Sequence, residues 1–275
     1  ASLAAYYRRI PVGHVEAGLR TGNPYSPFPE EINRKLTDCI ADIHFAPTAK
    51  ASENLIHEGV DHTQIYVTGN TVIDALMHIT NRLNNNHEQR RLIESSFKMI
   101  NQKRRLILVT GHRRENFGIG LKRICQALQI IAERGDVEIV YPVHLNPNVH
   151  EPVQELLSII PNVHLIKPQE YLPFVYLMNR AELIITDSGG IQEEAPSLGK
   201  PVLVLREVTE RPEAVEAGTI KLVGTKTASI VRETELLLDD NAVYNSMSRA
   251  HNPYGDGKAS KRIVREIRRV HKLGE

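Results

Sequence analysis

The chain has 275 residues, 41% of them hydrophobic, which is enough for two lobes or one large α/β unit with a real core. Its 34 Lys plus Arg and 33 Asp plus Glu nearly cancel and are interspersed, so no basic stripe argues for nucleic acid or another polyanionic partner. Cys39 and Cys125 lie in neither a CxxC nor a metal-ligand spacing, which favours a reducing cytosol over a disulfide scaffold, and no apolar run approaches the roughly 20 residues of a membrane span.

Residues 1–7 form a small apolar helical pattern without a Met and without a basic residue ahead of it, so they do not read as a secretory signal. The chain reads as entered partway through a helix, with its N-terminus a cut. Strands are expected over 10–15, 44–46 and 65–67, with a helix over 29–40 between the first two. This is part of one lobe. The polar stretch 77–102 reads as a helical connector. From residue 104 onward, short β-branched runs alternate with amphipathic stretches at 106–110, 137–142, 163–166, 183–186 and 201–205. A loop over 111–120 and a helix over 121–133 follow the first of them. Runs without polar alternation imply strands buried on both faces, and the long connections imply parallel pairing, hence a doubly wound sheet. The turn cluster 252–257 then opens a last helix over 258–272.

Ligands of open α/β sheets bind beyond the carboxyl ends of the strands. The turn Thr186-Asp187-Ser188-Gly189-Gly190 joins a strand to a helix, and its glycines and first-turn amides suit a phosphate group. Ser188 as a plain N-cap, with Glu193 and Glu194 favouring the helix dipole, explains the same residues equally well. His112, flanked by Arg113 after the strand over 106–110, suits a diphosphate whose oxygens gain charge as it leaves. A solvated loop with an Arg–Glu pair is the plainer account. His144, after the next strand, reads as a cap for the following helix. Glu16 follows the strand over 10–15, and an unpaired carboxylate at the end of a buried strand implies a partner or ligand. Glu30, in the first turn of its helix, has a structural role available. Two carboxylates at one crevice are also what proton transfer at carbon requires.

The segments 14–20, 29–34, 110–116, 144–147, 169–174, 187–199, 210–214 and 252–257 together resemble, in order and spacing, the bacterial non-hydrolysing UDP-N-acetylglucosamine 2-epimerases along the full chain. The resemblance implies an α/β fold of two Rossmann-like lobes of the B-type glycosyltransferase kind. The first lobe, 1–69, is incomplete, with helix 258–275 packing back on it; the second, 70–257, binds UDP in the cleft between them. It also implies C2 epimerisation of UDP-GlcNAc to UDP-ManNAc through 2-acetamidoglucal and UDP. Carried over by motif, Glu16, Glu30 and His112 are catalytic. Ser188, Gly189 and Gly190 hold the diphosphate and Glu194 the ribose. Gln169 and Phe174 line the uracil pocket, and Arg34 and Arg211 are further substrate contacts. No metal or other cofactor is implied. UDP-GlcNAc is expected as substrate and allosteric effector, and a homodimer as the assembly. The family's Gly-Thr-Arg-Pro-Glu loop and Gly-Asp-Thr segment, which carry a third catalytic carboxylate, are absent from this sequence. Two alternatives stay open: a truncated chain that binds UDP or a UDP-sugar without turnover, and a hydrolysing epimerase that releases free ManNAc.

Overall fold

The computed structural model describes residues 1–25, 27–270 and 272. The chain divides into two compact units: Ala1–Met77 with Thr209–Glu213 and Pro253–Glu275, and His78–Val208 with Ala214–Asn252.

The first unit carries a parallel sheet of β1 (Gly13–Val15), β2 (Ile43–Ala46) and β3 (Ile65–Val67) in that order, with Gly13 opposite Ile43 and His44 opposite Ile65. The helices Glu30–Asp38 and Ala49–His57 make the crossovers. β1 is shorter than the strand expected over 10–15. Pro11 has no N–H to offer a ladder, and Val12 is engaged with Asp42, donating to its Oδ2 at 2.8 Å and accepting from its N–H at 2.8 Å. Among the described residues β1 pairs only with β2, and Gly13 and Val15 are exposed. This corrects the expectation that Glu16 ends a buried strand.

Beneath the sheet lies a polar knot. Asp38, 4% exposed, hydrogen-bonds His14 Nδ1 and accepts from Arg20 Nη2 at 2.6 Å, and Arg20 also donates to Glu58 at 2.7 Å. Burial pushes the Asp38 carboxyl up, but the hydrogen bonds from His14 and Arg20 outweigh it and hold the group below its ordinary 3.8. A buried charge is tolerated only when it is paired in this way.

The second unit is a six-stranded parallel sheet of β4 (Arg105–Thr110), β5 (Val137–Pro142), β6 (Val163–Ile166), β7 (Leu183–Thr186), β8 (Val202–Val204) and β9 (Ile220–Leu222). Their order is β6-β5-β4-β7-β8-β9, the doubly wound pattern, and it reverses direction between β4 and β7. β7 and β8 are buried throughout and β4 and β5 nearly so, as β-branched runs without alternation require. The helix Ile119–Ala132 buries Leu121, Ile124, Cys125, Leu128 and Ile131, a spacing that keeps one stripe on the sheet. Its Cys125 thiol is pushed up to about 12 by that burial, and Cys39 is exposed.

The unit bounds differ from the expected lobes 1–69 and 70–257. The division falls inside the helix Thr71–Asn85, whose first turn is tied to the first unit: Asp74 accepts from the N–H groups of Ala259 at 3.0 Å and Ser260 at 2.8 Å. Residues 253–257 join the first unit for the same reason, since Gly255 packs on Gly69. The stretch 77–102 is the end of that helix and a second one, His87–Ser96, capped by Asn86, rather than a single connector. The last helix is Ala259–Val270, and positions 271 and 273–275 of the expected helix lie outside the described residues.

Removing Asp38 strands Arg20 and His14. Asp38→Asn is expected to cost about 3–5 kcal/mol near pH 7. A carboxyl held below its ordinary value contributes stability above that value and loses it as pH falls, so the gap to wild type closes in acid below pH ~4. Urea melts at pH 7 and pH 3 measure it, and equal stability at pH 7 contradicts it.

Candidate functional site

The reversal of strand order puts the loops after β4 and β7 side by side, and one buried carboxylate joins them. Asp187, fully buried at the end of β7, accepts from the backbone N–H of His112 at 3.0 Å, the N–H of Arg113 at 2.9 Å and Asn116 Nδ2 at 3.0 Å. Asn116 also donates to the Leu205 carbonyl at 3.2 Å, bringing in the end of β8. One strand layer below, Thr110 and Thr186 share a hydroxyl hydrogen bond of 2.6 Å, and Thr186 Oγ1 accepts from the Ser188 N–H at 2.9 Å. Tyr141 donates to the Gly111 carbonyl at 2.9 Å, and a Cβ on Gly111 would stand 3.0 Å from that hydroxyl, so a side chain there would press on the tyrosine that ties the β4 loop to β5.

This scaffold presents the His112 ring, whose Nδ1 is 3.6 Å from Asp187 Oδ1 and which stacks on His144 with centroids 5.5 Å apart. Burial lowers the His112 pKa and the Asp187 carboxylate opposes it, while His144 and Arg113 lower it further; the result lies below the ordinary 6.5. After β7, Ser188 to Gly190 lead into the helix Ile191–Ser197, where the Gln192 and Glu193 N–H groups donate to the Gly189 and Gly190 carbonyls at 3.2 and 3.0 Å. Glu194, 7% exposed, accepts from the Tyr171 hydroxyl at 2.5 Å. Burial raises its pKa against that hydrogen bond. Asn252 donates to the Glu193 carbonyl at 2.8 Å and to Ser197 Oγ at 2.5 Å, which holds the far end of the same helix.

A histidine, a glycine turn and a buried acid meet at the switch point of a doubly wound sheet, where ligands of such folds bind. Residues 1–268 match the family model for UDP-N-acetylglucosamine 2-epimerase. The chain belongs to the UDP-N-acetylglucosamine 2-epimerase family. It is 58% identical over 268 residues to the UDP-N-acetylglucosamine 2-epimerase of Salmonella typhimurium, covering 97% of this chain and 71% of that one, and 59% identical to that of Escherichia coli K12 with the same coverage. The structure of UDP-GlcNAc 2-epimerase from Neisseria meningitidis bound to UDP-GlcNAc superimposes with a TM-score of 0.95 at 53% identity, over 98% of this chain and 72% of that one. The Methanocaldococcus jannaschii enzyme in complex with UDP-GlcNAc and UDP does so at 0.83 and 37%, over 97% and 71%. The wall teichoic acid polymerase TagF, at 14% identity and a TM-score of 0.56, shares the fold alone. The fold is thus the two-sheet α/β architecture of the B-type glycosyltransferase kind.

In the second unit His112 and the Ser188–Gly190 turn come together through Asp187, and Glu194 lies one helical turn further on. Gln169 precedes the helix Tyr171–Arg180 and donates to the Lys167 carbonyl at 2.7 Å, and Phe174 is half-buried in that helix's first turn. Glu115 pairs with Arg206 Nε at 3.0 Å and not with its neighbouring arginines. His144 Nδ1 accepts from the Asn146 N–H at 3.0 Å, and it is Asn146 whose side chain caps the helix Pro147–Leu157. In the first unit Glu16 stands at φ +67°, a strained value for any residue but glycine, and functional sites are where such strain is kept. Its carboxylate accepts from Asn70 Nδ2 at 3.1 Å and lies 3.6 Å from Arg211 Nη2. Arg211, 4% exposed, donates to Glu210 at 2.6 Å.

Glu30 is exposed in its helix's first turn, while the adjacent Glu31, 1% exposed, accepts from the N–H groups of Thr21 and Gly22 and holds their loop. Arg34, on the same helix, has a buried Nη1 without a hydrogen-bond partner. Among the described residues no group of three His, Cys, Asp or Glu side chains is arranged to hold a metal. Sequence reasoning assigned no role to Asp187, Asn116 or Tyr171. The signal for Asp187 was available: an acid directly after a buried strand needs donors.

The His112 imidazole is expected to be neutral at pH 7. An NMR titration of its ring, assigned by loss of the signal in His112→Gln, should give a midpoint below 6.5; a midpoint at or above that value contradicts the burial and cation account.

Proposed function

We propose that the chain carries out reversible C2 epimerisation of UDP-GlcNAc to UDP-ManNAc, by elimination and re-addition of UDP through 2-acetamidoglucal. The observation that carries the reading is the Asp187 carboxylate joining the His112 loop to the Ser188–Gly190 turn at the switch point. A diphosphate fits those groups: a glycine turn at a helix start lets its oxygens come close to the backbone, and a neutral imidazole can donate a hydrogen bond to them. Ser188, Gly189 and Gly190 hold the diphosphate, and Glu194 accepts from the ribose hydroxyls in place of Tyr171. Gln169 and Phe174 flank the uracil, and Arg34 and Arg211 are further substrate contacts. Arg34, with an unpaired buried nitrogen, has hydrogen-bonding capacity that an anionic ligand would use.

The chemistry follows from the bonds. The C2 proton of the sugar is not acidic, so it leaves as the C1–O bond to UDP breaks. The C2–H electron pair becomes the C1–C2 double bond and the C1–O pair departs on the phosphate oxygen. Glu16 and Glu30 are the carboxylates for the two proton transfers, one accepting the C2 proton and one returning a proton to the opposite face. UDP stays bound meanwhile and re-adds to C1. Relatives named as this epimerase, at 58% identity across nearly the whole chain, support the assignment. A homodimer in the cytoplasm, with UDP-GlcNAc as effector as well as substrate, completes the reading.

Incubation with UDP-GlcNAc in heavy water should yield UDP-ManNAc with deuterium at C2 in both epimers, and Glu16→Gln should lower the rate roughly 10²–10⁴-fold. Free ManNAc as the product, or UDP binding by calorimetry with no deuterium at C2, overturns it.

A further inference from the structure

The turn Asn252-Pro253-Tyr254-Gly255-Asp256-Gly257 has no part in the chemistry above, yet its geometry leads back to Glu16. Gly255, at φ +133°, and Gly69, at φ +83°, meet face to face: a Cβ on Gly69 would stand 3.2 Å from the Gly255 Cα, and one on Gly255 would stand 3.4 Å from the Gly69 Cα. This contact brings the Tyr254 carbonyl onto the Asn70 N–H at 2.7 Å. Tyr254 is fully buried, and its hydroxyl reaches Glu213 Oε2 at 3.4 Å, while Glu213 Oε1 accepts from Thr48 at 2.5 Å. The backbone of Asn70 is therefore held from outside its own helix.

The Asn70 side chain, in a residue 5% exposed, works in two directions. Its Oδ1 accepts from the Val72 N–H at 3.4 Å, at the start of the helix Thr71–Asn85, as an N-cap does. Its Nδ2 donates to Glu16 Oε1 at 3.1 Å. The Arg211 guanidinium contacts the same Oε1 from 3.6 Å, so among the described residues both contacts fall on one oxygen of the carboxylate. Glu16 is 40% exposed at its side chain and follows a three-residue strand, so β1 by itself does little to fix its rotamer. A neutral amide at hydrogen-bond distance aims the carboxylate without neutralising it, and leaves Oε2 for the sugar.

We propose that Asn70 is a positioning residue for Glu16, set in place by the Gly69–Gly255 contact and the Tyr254 carbonyl. It acts through Glu16 and touches no reacting atom. The inference rests on the reading of Glu16 as a proton-transfer group.

Capping and positioning separate in two variants. Asn70→Ser keeps a good N-cap oxygen but is too short to reach Glu16, whereas Asn70→Ala loses both functions. Measured by deuterium wash-in at C2, Asn70→Ser should lose tenfold or more in kcat with KM within about twofold, the pattern of an interaction made at the reacting centre. The thermal midpoint of Asn70→Ser should stay near wild type and that of Asn70→Ala should fall. An unchanged kcat in Asn70→Ser, with Glu16→Gln inactive, overturns the positioning role alone. An active Glu16→Gln overturns the reading of Glu16 itself. Crystal structures pose the question without turnover: Asn70→Ser should displace the Glu16 carboxylate by more than about 0.5 Å, and a superimposable carboxylate overturns the proposal.

Discussion

A single buried carboxylate organises the second unit. Asp187 follows β7 and is fully buried, and a charge there persists only if donors surround it. Those donors are the N–H groups of His112 and Arg113 and the amide of Asn116, all from the loop after β4. Satisfying one acid thus fixes the course of a loop on the neighbouring strand. The loop could otherwise run in many directions, and the histidine it carries would have no fixed place. Strand order makes the arrangement possible, since β4 and β7 are adjacent and their crossovers leave in opposite directions along the sheet.

The first unit handles charge differently. Asp38, Arg20, His14 and Glu58 form a mutually paired set centred on the buried Asp38. Glu16, Glu210 and Arg211 form a second set in which one carboxylate is still partly open to solvent. Glu30 and Glu31 differ at adjacent positions: the buried Glu31 ties down a loop, and Glu30 is exposed.

Much of the second unit was legible in the sequence. The runs at β4, β5, β7 and β8 carry β-branched residues without alternation, the pattern of strands buried on both faces. β9 was not legible, because Ile220-Lys221-Leu222 is three residues long and exposes a lysine at its centre. The start of β1 was misread because Ile10 and Val12 look like strand residues, while what ends the ladder is a contact between Val12 and Asp42, 30 residues away. The unit boundary was hidden because a continuous helix crosses it, with no glycine, proline or serine-rich break to mark it. Candidate residues beside strand ends could be listed from the sequence, but their partners could not. Asp187, Asn116, Tyr171 and Asn70 act through contacts at separations of 23 to 71 residues or more, which no local pattern encodes.

The claim on which the account turns is that the Asp187 charge assembles the nucleotide site. Calorimetric titration of UDP into Asp187→Asn tests it most directly, since the substitution keeps the shape and removes the charge. A hydrogen bond to a charged group is worth about 1.5–3 kcal/mol, and 1.4 kcal/mol is a factor of ten, so affinity should fall tenfold or more against wild type. UDP binding to folded Asp187→Asn with wild-type affinity would contradict it.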